Sequence, residues 1–405
     1  MRAAPIAMIA VTAVAIAAGC GDDKRAGFAS DVPAFSNCDD GRDCDGDGFV
    51  APADCNENDP RVNPAAYDFP GDGVDNDCDG AIDDPVLTCE TIPTESPGSP
   101  TDFARAADLC AQKTFDPLIR AAWGRIRGYG PGQRLWISET KPAQVNIVTS
   151  FGQNRPRYGQ TMAGFSTGPW GAADPRSSPP LDEADFKILD ACKEIPLEGQ
   201  DCASLTYGAP GGGGVSVQDW AELTLWLKVP SNAQALVMDF AFFSTEFNQF
   251  WNASLNDAFF VLVDGQNVAK DGNGLAMTVN SGFFQLCPPH PGPPGLSQDK
   301  AAALGPCVGV DGDAAQSVFG TLRGTGYDGA AVSSDFTVSS SNGQKYVYGG
   351  GSGWLTARAA VTPSQEVMVR IILHDTFDGL KDSAVLFDGF RWEPERTSSV
   401  GRPPR

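Results

Sequence analysis

The sequence predicts a mainly β protein: an antiparallel β-sandwich or jelly roll, preceded by a small, disulfide-rich acidic coil. Hydrophobic residues make up 41% of the 405 residues, which is too many for a disordered chain. The 46 glycines and 31 prolines disfavour a mostly helical protein. Short apolar runs with strand-like composition, separated by glycine-rich segments, occupy the second half of the chain and indicate antiparallel strands.

The charge balance excludes some partners. Lys and Arg total 29 against 51 Asp and Glu, which gives a net charge of −22, and no basic run is present. This balance argues against a nucleic-acid partner and makes cations the natural partners. The two histidines, His290 and His374, exclude a zinc site built on several imidazoles.

Residues 1–20 are predicted to be a signal peptide. Arg2 precedes an apolar stretch from Ile6 to Ala18, and small residues lead to Cys20. The pattern resembles a bacterial lipobox, which implies a lipidated Cys20, a tether over residues 21–37 and a lipid-anchored protein of the bacterial envelope, at the outer membrane or cell surface. Ala17 stands where that motif usually has Leu, so a plain secretory signal is an open alternative.

The ten cysteines that remain after Cys20 form an even set in an exported chain, which predicts disulfides. The spacing favours two local pairs, Cys192 with Cys202 and Cys287 with Cys307. The pairing of the other six stays open. The alternative role of the cysteines is to bind a soft metal such as Cu(I) through their thiolates. Those six are Cys38, Cys44, Cys55, Cys78, Cys89 and Cys110.

Residues 38–90 form the acidic segment, which holds fifteen acidic residues against two arginines up to residue 84. It contains the spacing D-x-D-x-D-G, the pattern of EF-hand calcium loops, in which carboxylates occupy positions 1, 3 and 5 and Gly makes the turn at 6. The Phe49 carbonyl falls at position 7 and Asp54 at position 12. The first predicted calcium site therefore comprises Asp43, Asp45, Asp47, Phe49 and Asp54.

A second copy of the spacing follows, with Asp83 at position 9. Position 12 is Val86, so an acid from elsewhere must complete the ligand shell. Four prolines disfavour paired helices and predict a compact coil with shared sites. An acidic, solvated linker held by disulfides is the alternative interpretation. The second predicted site comprises Asp75, Asp77, Asp79 and Asp83.

This order of acids, amides and glycines resembles a metal-binding motif of bacterial secreted proteins and, more loosely, thrombospondin type 3 repeats. The resemblance implies Ca²⁺ as the cofactor. The chain departs from the family pattern at residues 68–70, where Asp-Phe-Pro stands and the family often has Glu-x-Cys before Asp-Gly. One family disulfide is therefore in doubt.

Residues 91–100 are predicted to be a linker, residues 101–395 the β-sandwich domain and residues 396–405 a flexible tail. Apolar spacing predicts a short helix over residues 102–113. Glycine-rich turns are expected at residues 211–214 and 349–353. Strands are predicted at residues 223–229, where apolar and polar residues alternate, and at residues 235–243, 258–263, 367–373 and 384–387.

Two runs in this domain resemble the choice-of-anchor L domain of bacterial surface proteins. The first comprises Phe242 to Phe247 together with Asn256 to Val263, and the second is Ile371 to Asp388. Residues 162–168 also resemble an early segment of that family. The resemblance implies a surface module without catalytic activity.

Four acids lie between strands in these runs: Glu246, Asp257, Asp375 and Asp382. Carboxylates at strand ends are expected to be partly buried and in need of a counter-charge, so they form a predicted structural calcium site. Solvated loop acids are the alternative interpretation.

The sequence favours a lipid-anchored, calcium-stabilised surface protein that binds a glycan or protein ligand and is not an enzyme. One alternative is a secreted jelly-roll hydrolase in which Glu246 pairs with Asp257 or Asp375, the paired carboxylates of glycoside cleavage. The other is a metal-scavenging lipoprotein, which the scarcity of His and Met disfavours.

Overall fold

The computed structural model describes a mainly β chain, which confirms the predicted fold class. It describes residues 41–84, 89, 98–112, 115–129, 135–172, 181, 186–188, 215–246, 257–271, 274, 276–279, 281, 283, 322, 324–327, 338–339, 345–346, 349–376 and 381–401. The predicted signal peptide, Cys20 and the tether lie outside these residues, as do most of the linker and both predicted local disulfides, Cys192 with Cys202 and Cys287 with Cys307. No helix among the described residues is long and apolar enough to cross a membrane.

The described elements are one α-helix, one 3₁₀ helix (Pro142–Gln144) and sixteen strands. They are α1 (Pro100–Ala106), β1 (Leu118–Trp123), β2 (Arg125–Tyr129), β3 (Leu135–Glu139), β4 (Val145–Val148), β5 (Met162–Ser166), β6 (Phe186–Ile188), β7 (Val215–Lys228), β8 (Ala235–Ser244), β9 (Ala258–Val263), β10 (Gln266–Asn267), β11 (Val338–Ser339), β12 (Lys345–Tyr346), β13 (Gly350–Ala360), β14 (Glu366–Thr376), β15 (Ser383–Glu393) and β16 (Ser399–Gly401).

Two antiparallel sheets build the sandwich. One has the order β10-β9-β14-β7-β6-β2-β3, with β1 also paired to β7, and the other has the order β16-β13-β8-β15-β5-β4. Strands β11 and β12 form a separate pair. Asp264 and Gly265 join β9 to β10 in a two-residue turn with positive φ at both positions, as this hairpin type requires.

The core lies between the two sheets. Leu223, Leu225 and Leu227 of β7 are fully buried in it, as their alternation with polar residues predicts. Phe240 of one sheet packs on Phe259 of the other with ring centroids 5.1 Å apart. A second cluster that includes Met162, Phe243, Tyr327 and Trp354 covers the other face of β8, so this strand is buried on both faces and shows no alternation.

The predicted turn at residues 349–353 is wrong over most of its length, because Gly350 begins strand β13. A Cβ at Gly351 would lie 3.0 Å from the Phe242 carbonyl oxygen, and one at Gly349 would lie 2.3 Å from that of Tyr327. These glycines serve close backbone approach at the start of a strand.

The expected flexible tail contains strand β16, whose residues 399–401 pair with residues 356–358 of β13. The predicted helix at residues 102–113 is displaced, since Ser99 caps a helix that already begins at Pro100. The helix ends early because the backbone at Asp108 is left-handed, with φ of 68°.

Candidate metal centre

The first acidic loop is shaped by hydrogen bonds from the backbone to Asp side chains. Asp43 accepts from the N–H groups of Gly46 (2.7 Å) and Gly48 (3.0 Å). Asp47 accepts from the N–H of Phe49 at 2.8 Å. Such turns are the local preference of Asp, and they fold the segment without helix or strand.

Three of the predicted ligands in this loop come together. Asp43, Asp45 and Asp47 each place a carboxylate oxygen within 4.8 Å of the other two. Asp54, which is 3% exposed, lies in the electrostatic field of Asp45 and Asp47. The loop therefore brings position 12 of the predicted site towards positions 3 and 5.

Burial and like charge act together in this group. Burial raises the pKa of Asp54, and the charges of Asp47, Glu57 and Asp45 raise it further. Burial likewise raises the pKa of Asp45. The Oδ2 atoms of Asp45, Asp47 and Asp54 are buried and accept no hydrogen bond within the described structure. A cation bound among them would supply the missing positive charge.

The second loop repeats the geometry of the first. Asp75 Oδ2 accepts from the N–H of Gly80 at 3.0 Å, which is the same spacing and distance as the bond from Gly48 to Asp43. Asp75, Asp77 and Asp79 again place one oxygen each within 4.8 Å of the others.

Asp77 belongs to two acidic groups at once. It also lies within 4.8 Å of Asp68 and Asp84, oxygen to oxygen. Its side chain is fully buried, and burial raises its pKa to about 6, with the charges of Asp79, Asp84 and Asp68 adding to the effect. This shared acid matches the sequence expectation of a compact coil with shared sites.

Asp83, a predicted ligand of the second site, is not a member of the three close acidic groups. Its Oδ1 accepts from the N–H groups of Gly71 and Gly73, both at 2.8 Å, so it holds the preceding turn. The sequence interpretation did not include Asp68 and Asp84, which form a close group with Asp77, or Glu57, whose charge acts on Asp45 and Asp54. Asp68 falls in the stretch where the family motif has Glu, which is the signal that could have identified it.

The sulfur atoms of this region are used in disulfides. Cys55 pairs with Cys78, Cys89 pairs with Cys110, and Cys44 is also disulfide-bonded. These pairs resolve part of the connectivity that the sequence left open.

The acidic loops are docked on the sandwich through the turn between β7 and β8. Asn232 Oδ1 accepts a hydrogen bond from the N–H of Tyr67 at 2.9 Å, and Asn232 Nδ2 donates one to the Tyr67 carbonyl at 2.8 Å. Ser231 bonds to Ala65 and Asn63. Tyr67 itself joins the hydrophobic core of the sandwich.

The four predicted acids of the sandwich gather at one end of it and are more deeply buried than expected. Glu246, Asp257, Asp375 and Asp382 are at most 3% exposed, whereas partial burial was predicted. The N–H of Asp257 donates to Glu246 Oε2 at 2.7 Å, and Thr167 donates to Asp257 Oδ2 at 3.4 Å. These four are not among the groups in which three oxygens lie within 4.8 Å of one another.

Comparison with known families gives one match. The family named Cu-binding MopE, described as "Putative metal-binding motif", matches residues 54–84. The matched residues include Asp54, the second loop and the Cys55–Cys78 disulfide. No curated protein and no solved structure matches the chain. The match supports a metal-binding segment and leaves the metal unspecified.

Proposed function

We propose that residues 38–90 bind calcium and that this binding makes the acidic segment rigid. The observation that carries the proposal is the group of buried Oδ2 atoms on Asp45, Asp47 and Asp54, which accept no hydrogen bond among the described residues. They sit in a loop whose geometry recurs at Asp75. Repetition of a turn that gathers carboxylates is what a calcium repeat requires.

The donor atoms favour calcium over copper. The matched segment, residues 54–84, contains no His and no Met. Its two cysteines, Cys55 and Cys78, are bonded to each other and offer no thiolate. Carboxylate oxygens remain, and these prefer hard cations such as Ca²⁺ over Cu(I).

Calorimetric titration of the chelator-treated chain with Ca²⁺, and separately with copper, tests this. We expect calcium binding in the range of about 10⁻⁴ to 10⁻³ M, since position 12 carries Asp and not the longer Glu. Asp45→Asn with Asp47→Asn should remove the first site. Asp72→Asn is the matched control, because Asp72 is an exposed acid of the same segment outside the three close groups. An unchanged isotherm in the double variant, or tighter copper binding in the wild type, contradicts the proposal.

We further propose that the chain is a lipid-anchored protein of the bacterial envelope that binds a surface ligand without catalysis. The lipobox-like sequence at Cys20 and the resemblance to a surface-anchor domain support this. Cys20→Ser should release the protein from membranes. Unchanged fractionation of the variant, with an unmodified N-terminus elsewhere by mass spectrometry, would disprove the anchor.

A groove of mixed polar and apolar lining supports the proposed ligand binding. It has a volume of about 630 Å³ and lies between β10 of one sheet and β16 of the other, with Lys270, Arg358 and Arg396 in its lining. The four sandwich acids, by contrast, are too buried to meet a glycoside, which disfavours the hydrolase alternative. A glycan array screened with the wild type and with Ser399→Trp, which fills the groove, tests this. Equal binding by both proteins would exclude the groove.

A further inference from the structure

Four acids from separate parts of the fold converge at one end of the sandwich. Glu246 follows β8, Asp257 precedes β9, Asp375 lies near the end of β14, and Asp382 precedes β15. We name these four residues the sandwich acid cluster. Each is at most 3% exposed, and burial disfavours the charged form of a carboxylate.

Asp257 is at the centre of the cluster. Burial raises the pKa of its carboxyl well above the usual range, and the Glu246 charge raises it further. Asp375 and Ser383 lie against the same carboxyl, and the Asp382 charge reaches it as well. Asp257 is therefore the residue that all other members of the cluster influence.

One oxygen of this central carboxylate points to a missing ligand. Asp257 is fully buried, and its Oδ1 accepts no hydrogen bond of normal geometry in the described part of the chain. Its Oδ2 accepts a long bond of 3.4 Å from the Thr167 hydroxyl. A fully buried carboxylate oxygen without a donor is rare in native proteins, and a bound ion is a common cause of such an arrangement.

The neighbouring backbone is shaped around the acids. A Cβ on Gly168 would lie 1.9 Å from Asp382 Oδ2, so only glycine allows this carboxylate its position. Thr167 accepts the N–H of Ser383 at 2.9 Å while its hydroxyl donates to Asp257. Tyr327 lies beside Ser166, and burial raises its pKa, with the charges of Asp382 and Asp257 adding to the effect. The surroundings thus offer oxygen atoms from hydroxyl and carboxylate groups.

We propose that the sandwich acid cluster binds one hard divalent cation, calcium, with Asp257 as the central ligand and Glu246, Asp375 and Asp382 supplying further negative charge. Asp375 lies against the Asp257 carboxyl, the charges of Glu246 and Asp382 reach it, and a cation would offset this repulsion between like charges. The site is independent of the acidic segment and would lock the ends of strands from both sheets to one another.

The test uses the full chain with the acidic loops disabled by Asp45→Asn, Asp47→Asn and Asp77→Asn. We expect this background to retain one calcium per chain in equilibrium dialysis and to gain thermal stability when calcium is added. Adding Asp257→Asn should remove that ion and the calcium-dependent rise in Tm. The Tm in chelator should not fall, because one buried charge has been removed.

Asp388→Asn is the matched control, since Asp388 is a fully buried Asp of β15 outside the cluster, and it should keep the bound ion. If the Asp257 variant does not fold, Glu246→Gln replaces it, because the amide oxygen can still accept the Asp257 N–H while the charge is lost. Retention of the ion by Asp257→Asn, or by Glu246→Gln where that variant replaces it, overturns the proposal. A background that binds no calcium, and is stabilised only when the pH falls, overturns it in favour of acids that share protons. The calcium that the background loses relative to the wild type belongs to the acidic loops, and this difference tests the proposed function of the acidic segment alone.

Discussion

The acidic segment and the sandwich use the same residue, aspartate, in opposite ways. In the segment, Asp43 and Asp75 bind the N–H groups of their own loops, close to solvent. In the sandwich, Asp257 is fully buried and meets few donors. The carboxylates shape the backbone in the first region, whereas in the second the sheets determine where the carboxylates lie.

The two regions also differ in what stabilises them. The described residues 41–84 bury only Val62, Ala66 and Tyr67 as apolar side chains, whereas the sandwich buries several dozen. So little apolar burial cannot offset the entropy of ordering a loop-rich segment. Disulfides and docking to the sandwich supply part of the difference, and the proposed cations would supply the rest. Substitutions in each region can separate these contributions.

The largest expected effect is on the sandwich core. Phe240→Ala removes a fully buried ring that packs on Phe259 and should lower the free energy of unfolding by about 3–5 kcal/mol. Denaturant unfolding should show the same loss with calcium and with chelator, since this contact carries no charge. Val50→Ala, at a partly exposed position in the acidic segment, should change it by less than about 0.5 kcal/mol. A loss of unfolding free energy that depends strongly on calcium would contradict the expectation that the core is stabilised independently of cations.

The next effect concerns the shared acid of the segment. Asp77→Asn removes a carboxylate from two acidic groups, whereas Asp75→Asn removes one from a single group. Equilibrium dialysis should therefore show more calcium lost from the Asp77 variant, with the remaining affinity weakened about tenfold or more, or about 1.4 kcal/mol. Equal losses in the two variants would mean that the groups act separately.

An effect of comparable size is expected where the two regions meet. Asn232→Ala removes both bonds to the Tyr67 backbone and leaves buried polar groups unsatisfied, which costs about 1–3 kcal/mol. Calorimetry should then show the segment melting separately from the sandwich. Ser231→Ala keeps its backbone bond to Ala65 and should have a weaker effect. A single unchanged transition in the Asn232 variant would show that other contacts couple the regions.

A pH dependence is expected at the buried acid pair Asp108 and Asp388, which lies outside both the acidic segment and the sandwich acid cluster. Asp108 and Asp388 lie against one another, and burial raises the pKa of Asp108 to about 6 from 3.8. Between about pH 4 and 6 the folded state therefore holds more protons than the unfolded state, so stability falls as the pH rises through this window. Asp388→Asn should flatten this slope relative to the wild type in urea unfolding at pH 4.5 and 6.5. Parallel profiles would show that the pair does not share a proton.

The sequence was most informative where the signal is local. Strand β9 has the predicted bounds because an apolar run ends at an Asp-Gly turn. The acidic loops could be predicted from spacing alone, since each loop closes on itself within six residues. Asp68 and Asp84 were missed because the fold, and not their spacing, brings them to Asp77. The glycines near residue 350 were misread because composition does not distinguish a turn from a strand packed closely on its neighbours.

The Cys89–Cys110 disulfide has a consequence for proteolysis. It bridges a stretch that includes the whole predicted linker, residues 91–100, so a protease that cuts the backbone between residues 89 and 110 leaves the two fragments covalently joined. Such a nicked molecule would run as two bands only after reduction. Shedding of the sandwich from whatever holds its N-terminal end would then require a reductant as well as a cut.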